Sequence, residues 1–198
     1  MVGPTTFGYQ VAGFGAGGLD LGVYQFIDSQ TVSGQANIDF DNIKQDVYGT
    51  HFVHYQLDNA TDNSIASVRL FESGTLETAS VYKEHWYEIV ANGANENSGA
   101  QTSTASTSRD HIRVGENAGN ASLEFSTGYF YIYNAGNSSF HTSVNGHNVC
   151  LGTGNEVLSA FGGGVLPQAS TVDGFRIFAS TGGNYTGTVS LFGLKQWN

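Results

Sequence analysis

The residues of this chain that could do chemistry are few and mostly ill-placed to do it together. His51 and His54 stand three apart. In an extended strand, positions i and i+3 point to opposite faces, so the pair cannot chelate one ion. His51 shares its face with apolar residues and is expected to be a hydrogen-bonded core histidine, while His85, His111, His141 and His147 are dispersed. Asp39 and Asp41 would share one strand face roughly 7 Å apart, close to the range of paired catalytic carboxylates, and Glu84 and Glu88 lie farther apart on another. The aspartates read as hydrogen-bond acceptors at turns. Asp58, Asp62 and Asn63 carry oxygens suited to calcium without an EF-hand's spacing, and read as a turn. Cys150 is the only cysteine, which excludes an intrachain disulfide and a multi-cysteine metal site, and a buried thiol is expected. No G-x-S-x-G, phosphate-binding loop or Cys/His nucleophile pair occurs, so the expectation is no enzymatic activity, no metal and no cofactor. Trp86, Tyr87 and Trp197 remain, with flat aromatic faces on which pyranose rings could stack, and these are the expected glycan contacts.

Composition indicates what positions these residues. Of 198 residues 27 are glycine, and Asp, Glu, Lys and Arg make up only 12%, against an ordinary quarter or so. Helices carry charged faces, and there is little charge to put there. Ser, Thr, Asn and Gln fill the polar positions instead and, with Val, Ile, Tyr and Phe, suit strands and tight turns. The net charge is −10 and the seven Lys and Arg are scattered. Without a basic patch, binding to nucleic acid or to an anionic membrane surface is not expected. There is neither a signal-peptide pattern nor an apolar run of membrane-spanning length, so a soluble protein made in a cytoplasm is expected.

Residues 1–18 interleave Phe7, Tyr9 and Phe14 with glycines and lack strand-length alternation. They are expected to form an N-terminal assembly arm, ordered by packing on a neighbouring subunit or larger assembly. From Leu19 to Asn198 a single all-β domain is expected, an antiparallel sandwich of about ten strands at regular spacing. In 47–57 the apolar residues Val47, Val53, Tyr55 and Leu57 fall on alternate positions and predict one core-facing side. Chain reversals are expected at Gly136-Asn137, Asn145-Gly146 and Gly182 to Asn184. Residues 92–108 read as a solvated loop, and 161–167, with three consecutive glycines, as an irregular connection. Tyr129 to Tyr133 is large and apolar on both parities, and 81–90 mixes aromatics and charges on each. A monomeric sandwich should present polar outer faces, so either the chain's own connections or another subunit covers these strands. Tyr129, Tyr131 and Tyr133 are the expected subunit contacts.

The last part of the chain reads Phe175-Arg176-Ile177-Phe178, a turn through Gly182-Gly183-Asn184, Thr186-Gly187-Thr188-Val189 and Leu191-Phe192-Gly193. It resembles the closing hairpin of a jelly-roll domain recurrent in tailed-bacteriophage virion proteins, especially of marine and cyanobacterial phages. Upstream, IDFDNI and the segment DVYGTHFVHYQLDNATDNSIASVRL resemble the opening of that domain, so the resemblance spans roughly residues 27–195. It implies a jelly-roll-like sandwich and a virion protein that works by assembly and binding, made in the bacterial host. Such domains occur in tail fibres, in receptor-binding tips and in proteins decorating the head. The expectation is therefore a tail fibre or receptor-binding component, a homotrimer among other virion proteins, contacting a host-surface glycan. The alternatives are a decoration or cement protein of the capsid and a small lectin-like module.

Overall fold

The computed structural model describes residues 24–91, 100–122 and 124–194. Among them every regular element is a strand. In chain order these are β1 (Tyr24–Gln35), β2 (Asn37–Phe40), β3 (Thr50–Asn59), β4 (Ala66–Glu72), β5 (Thr75–Leu76), β6 (Tyr82–Ala91), β7 (Ala100–Arg109), β8 (Ile112–Arg113), β9 (Phe125–Tyr133), β10 (Thr142–Leu151), β11 (Val157–Leu166), β12 (Val172–Ala179) and β13 (Tyr185–Leu194). They form two antiparallel sheets. The larger has the order β1-β13-β3-β9-β10-β11-β6-β7, and the smaller β2-β12-β4-β5, with β8 also paired to β4.

Two layers follow from the alternation. In β3 the side chains of Val53, Tyr55 and Leu57 are fully buried while His54 and Gln56 are exposed, the period of two that one core-facing side requires. Strand β9 repeats it, with Phe130 and Ile132 inside and Tyr129 outside. From the smaller sheet Ile38, Phe40, Val68, Leu70, Phe175 and Ile177 meet this face. Phe175 stacks on Phe40 at 4.9 Å and meets Phe130 edge-on at 5.7 Å, which ties the layers together.

The first four strands of the larger sheet, β1-β13-β3-β9, oppose β2-β12-β4-β5. In these eight the chain crosses between layers from β1 to β2, β2 to β3, β3 to β4, β5 to β9, β9 to β12 and β12 to β13. That is the jelly-roll arrangement. Strands β6, β7, β10 and β11 are additions to it. They extend the larger sheet past β9, and β8 with the segment after it runs beneath the extension: Ala118 pairs with Ser64, and Gly119 N–H donates to Leu151 O at 2.9 Å.

Several expectations hold and others need correction. The closing hairpin turns at Gly182 and Gly183, whose φ values of 89° and 116° lie where side chains are disfavoured. Val47, expected to face the core, is exposed in the turn before β3. Asn145-Gly146 is not a reversal but lies inside β10, paired on both sides by β9 and β11. Residues 161–167 are largely strand, since β11 runs to Leu166. The expected loop 92–108 is β7 from Ala100 onward. An edge strand needs only main-chain pairing with one neighbour, here β6, and residues as small as Ser and Thr supply that. The expected arm, with Phe7, Tyr9 and Phe14, lies outside the described residues.

Tyr55 joins the layers by a polar bond. Its hydroxyl donates to Val114 O and accepts from Asn148 Nδ2 at 3.2 Å, all of it buried. Asn148 also reaches Ser126 Oγ and the N–H of Glu116. Tyr55→Phe strands the buried Val114 carbonyl, while the Asn148 amide keeps Ser126 Oγ and Thr127 O, and is expected to cost about 1–3 kcal/mol of unfolding free energy. Urea denaturation checks this; a loss well below 1 kcal/mol would mean that the network is not structural.

Candidate binding face on the outer side of the large sheet

The solvent side of the larger sheet carries an aromatic band. Phe26 on β1 is paired with Phe192 on β13, Phe192 with Phe52 on β3, and Phe52 with Tyr131 on β9. Adjacent rings lie 5.8, 6.1 and 5.1 Å apart. One row along the strands, Tyr129 is paired with His147 on β10, His147 with Phe161 on β11, and Phe161 with Tyr87 on β6. Tyr129 and His147 lie 5.9 Å apart and Phe161 and Tyr87 5.4 Å. Because paired residues of antiparallel strands share a face, the band crosses the sheet from β1 to β6. Phe26 is 64% exposed and Phe161 49%. Tyr24 closes the β1 end, its hydroxyl 3.0 Å from that of Tyr131. This bond, then burial, pushes the Tyr131 phenol up to about 12.

The three tyrosines expected as subunit contacts thus share the outer face, with Tyr131 and Tyr133 stacked at 5.9 Å. The expected glycan contacts do not stay together. Tyr87 stands on the outer face beside Phe161. Trp86 does not: it is 1% exposed, on the inner side of β6. A ring that no solvent reaches cannot receive a sugar, so Trp86 is a core residue. Trp197 lies outside the described residues.

Next to the Tyr87–Phe161 pair is an open cleft of about 820 Å³, lined by Lys83, His85, Thr107, Asn145, Gly163 and Val165, among others. Its floor is Gly163, where a Cβ would collide with Val144 O and lie 2.8 Å from Asn145 Cα. No side chain fits there, and the row of side chains is interrupted between Asn145 and His85, which flank Gly163 on β10 and β6. All four extension strands contribute to the cleft. A second cavity of about 270 Å³ lies between the turns before β3 and after β9, lined by Gln45, Asp46, Asn134 and Asn137 among others.

The carboxylates are engaged elsewhere. Asp39 is held by Arg176 through two bonds of 2.6 Å, and Asp41 lies past the end of β2. Asp62 caps the N–H of Asn120 at 3.0 Å, and Asn63 adopts a left-handed turn conformation. Among the described residues no three His, Cys, Asp or Glu side chains converge as a metal site would require. Under the sheet, Glu84 accepts from Arg113 N–H at 2.9 Å and pairs with Arg109 at 3.1 Å, while Glu116 lies 3.5 Å from Arg113. Burial, then the neighbouring Glu88, pushes the Glu116 carboxyl up to about 7. That acid is 2% exposed and lies on the side of the sheet opposite the cleft, so no surface ligand reaches it. His51 is fully buried, its Nε2 2.8 Å from Ile43 O, and burial lowers its pKa to about 4. Cys150 is a buried thiol, pushed up to about 12 first by burial and then by nearby glutamates.

Reading the sequence finds Tyr87 but misses Phe52, Phe161 and Phe192 as outer-face rings, and Lys83, His85, Asn145 and Gly163 as one cleft. The signal available was parity: Phe52 and Phe192 alternate with buried apolar neighbours. For the cleft there was none, because its walls come from strands far apart in the chain and two of its segments read as turns. No family model matches the chain, and neither a curated protein nor a solved structure matches it significantly.

Proposed function

We propose that this chain is a non-enzymatic structural protein of a bacteriophage particle, a tail fibre or receptor-binding component that attaches to a host-surface glycan. The observation that carries the reading is the aromatic band on the outer face of the large sheet. Monomeric proteins rarely leave so large an apolar area facing water, and where one persists it marks an interaction surface. Flat rings beside an open cleft suit a sugar, because a ring face offers apolar contact while cleft side chains take the hydroxyls. The jelly-roll order of the strands and the resemblance of the closing hairpin to phage virion domains support the setting. The band has two ends with two uses: the rings on β1, β13, β3 and β9 make the contact between subunits of a homotrimer, and those on β11 and β6 face the host.

Phe161→Ala and Tyr87→Ala are each expected to weaken binding to a bacterial surface polysaccharide about tenfold or more, with the melting temperature little changed. A glycan array probed with the purified protein, as monomer and as oligomer, checks this. Absence of binding in both forms would overturn the attachment reading. Capsid decoration shares the same apolar face, and quantitative blotting of purified particles separates the two: a copy number matching the head lattice rather than the tail overturns the tail assignment.

A further inference from the structure

We infer that the cleft over Gly163 recognises an acidic sugar, with Lys83 pairing to its carboxylate; this rests on the glycan-binding reading above and names the class of glycan. The distribution of cations carries it. Arg69, Arg109, Arg113 and Arg176 are all paired with carboxylates. Lys83 lines the cleft and is exposed, and among the described residues no carboxylate lies within ion-pair distance of it. Lys44 is also exposed and without an ion pair among the described residues, but it lies in the turn before β3 and does not line this cleft. In a chain with a net charge of −10, Lys83 is the unneutralised ammonium at the cleft's rim.

The acids of the neighbourhood do not cancel it. Glu84 also borders the cleft, but its side chain is 1% exposed on the buried side of β6, where Arg109 and Arg113 neutralise it. The net negative charge of the rest of the molecule is screened over roughly 8 Å at physiological ionic strength, so the local ammonium decides what an anion meets. Next to it, His85, Asn145 and Thr107 offer hydrogen-bonding groups of the kind sugar hydroxyls need. Tyr87 stands two residues from His85, and Phe161 two from Gly163, on the same face. Residues so spaced on a strand lie about 7 Å apart. Lys83 is four residues from Tyr87, about 13 Å along the strand, so a pyranose stacked on the Tyr87–Phe161 pair lets a sugar further along the polymer bring a carboxylate to Lys83. A charge-assisted bond to the ammonium is roughly twice as strong as a neutral one, so a neutral sugar gains less at this position.

The test is calorimetric titration with tetrasaccharides of galacturonate, of mannuronate and of hyaluronan, each beside its carboxyl-reduced counterpart, at low and high salt. The expected result is that at least one carboxylated oligosaccharide binds about tenfold tighter than its reduced form, with the preference shrinking at high salt. Lys83→Gln removes that preference by weakening the carboxylated form far more than the reduced one, and Tyr87→Ala weakens both forms alike. Lys83 is on the surface, so the variant should melt with the parent, and Lys83→Arg should keep the preference if melting shifts. Equal affinity for charged and reduced forms, or a preference that survives Lys83→Gln, overturns the acidic-sugar inference and leaves glycan attachment standing. Failure of every oligosaccharide, charged or reduced, overturns both.

Discussion

Phe130→Ala is expected to lower the unfolding free energy by about 3–5 kcal/mol, whereas Tyr129→Ala, one residue earlier, should lower it by less than about 1 kcal/mol. The two side chains leave one strand in opposite directions. Phe130 is fully buried and packs between Phe175 of the facing sheet and Tyr55 of its own. Truncating it opens a void between layers that cannot collapse without moving both sheets, which adds a cavity cost to the lost transfer energy. Tyr129 is 39% exposed and loses only ring contacts with Phe52, Tyr131 and His147. Its loss should appear instead in self-association, as a weaker oligomer by sedimentation equilibrium. Urea denaturation of the two variants decides the matter. Comparable destabilisation would mean that the outer tyrosines belong to a core, and the interaction surface would have to be sought elsewhere.

The second large effect is on pH. Glu116 in the folded protein releases its proton near pH 7 rather than 4.5. Between those values the unfolded chain ionises and the folded one does not. Stability from this group is thus fully present below about pH 4.5 and is lost as pH rises toward 7, by on the order of 3 kcal/mol. His51 works in the opposite sense. Its folded pKa is depressed from 6.5 to about 4, so its contribution is present above pH 6.5 and is lost as pH falls toward 4. The two slopes oppose each other between pH 4.5 and 6.5. In the parent they should flatten the profile there. Glu116→Gln removes one of them, so the variant should gain stability steadily as pH rises from 4 to 6.5 and then level off. Chemical denaturation at half-unit pH steps measures both curves. Parallel profiles for variant and parent would show that Glu116 titrates alike in folded and unfolded states.

Much of the fold was legible because period-two burial is written locally. Val53, Tyr55 and Leu57 announce a core face, and the glycines at 182 and 183 announce the turn that closes the last hairpin. The errors share a cause. At Asn145-Gly146, at 161–167 and at 100–108 the residues are small or turn-forming, and what makes them strand is pairing with partners distant in the chain. Glycine in such a strand signals a close approach by a neighbour, and that neighbour cannot be seen from the segment itself. The candidate site suffers doubly. Tyr87 and Trp86 are adjacent aromatics of equal promise in sequence, and only the parity of β6 sends one to solvent and the other to the core. Glu116 sits in an irregular stretch where no periodicity announces burial.

The cleft is walled entirely by β6, β7, β10 and β11, none of which belongs to the eight jelly-roll strands. Under the proposed reading, recognition and architecture rest on separate strands of this molecule. If the cleft binds a polymer as proposed, substitutions at Lys83, His85, Thr107 or Asn145 would change which one while the two opposed sheets stay as they are.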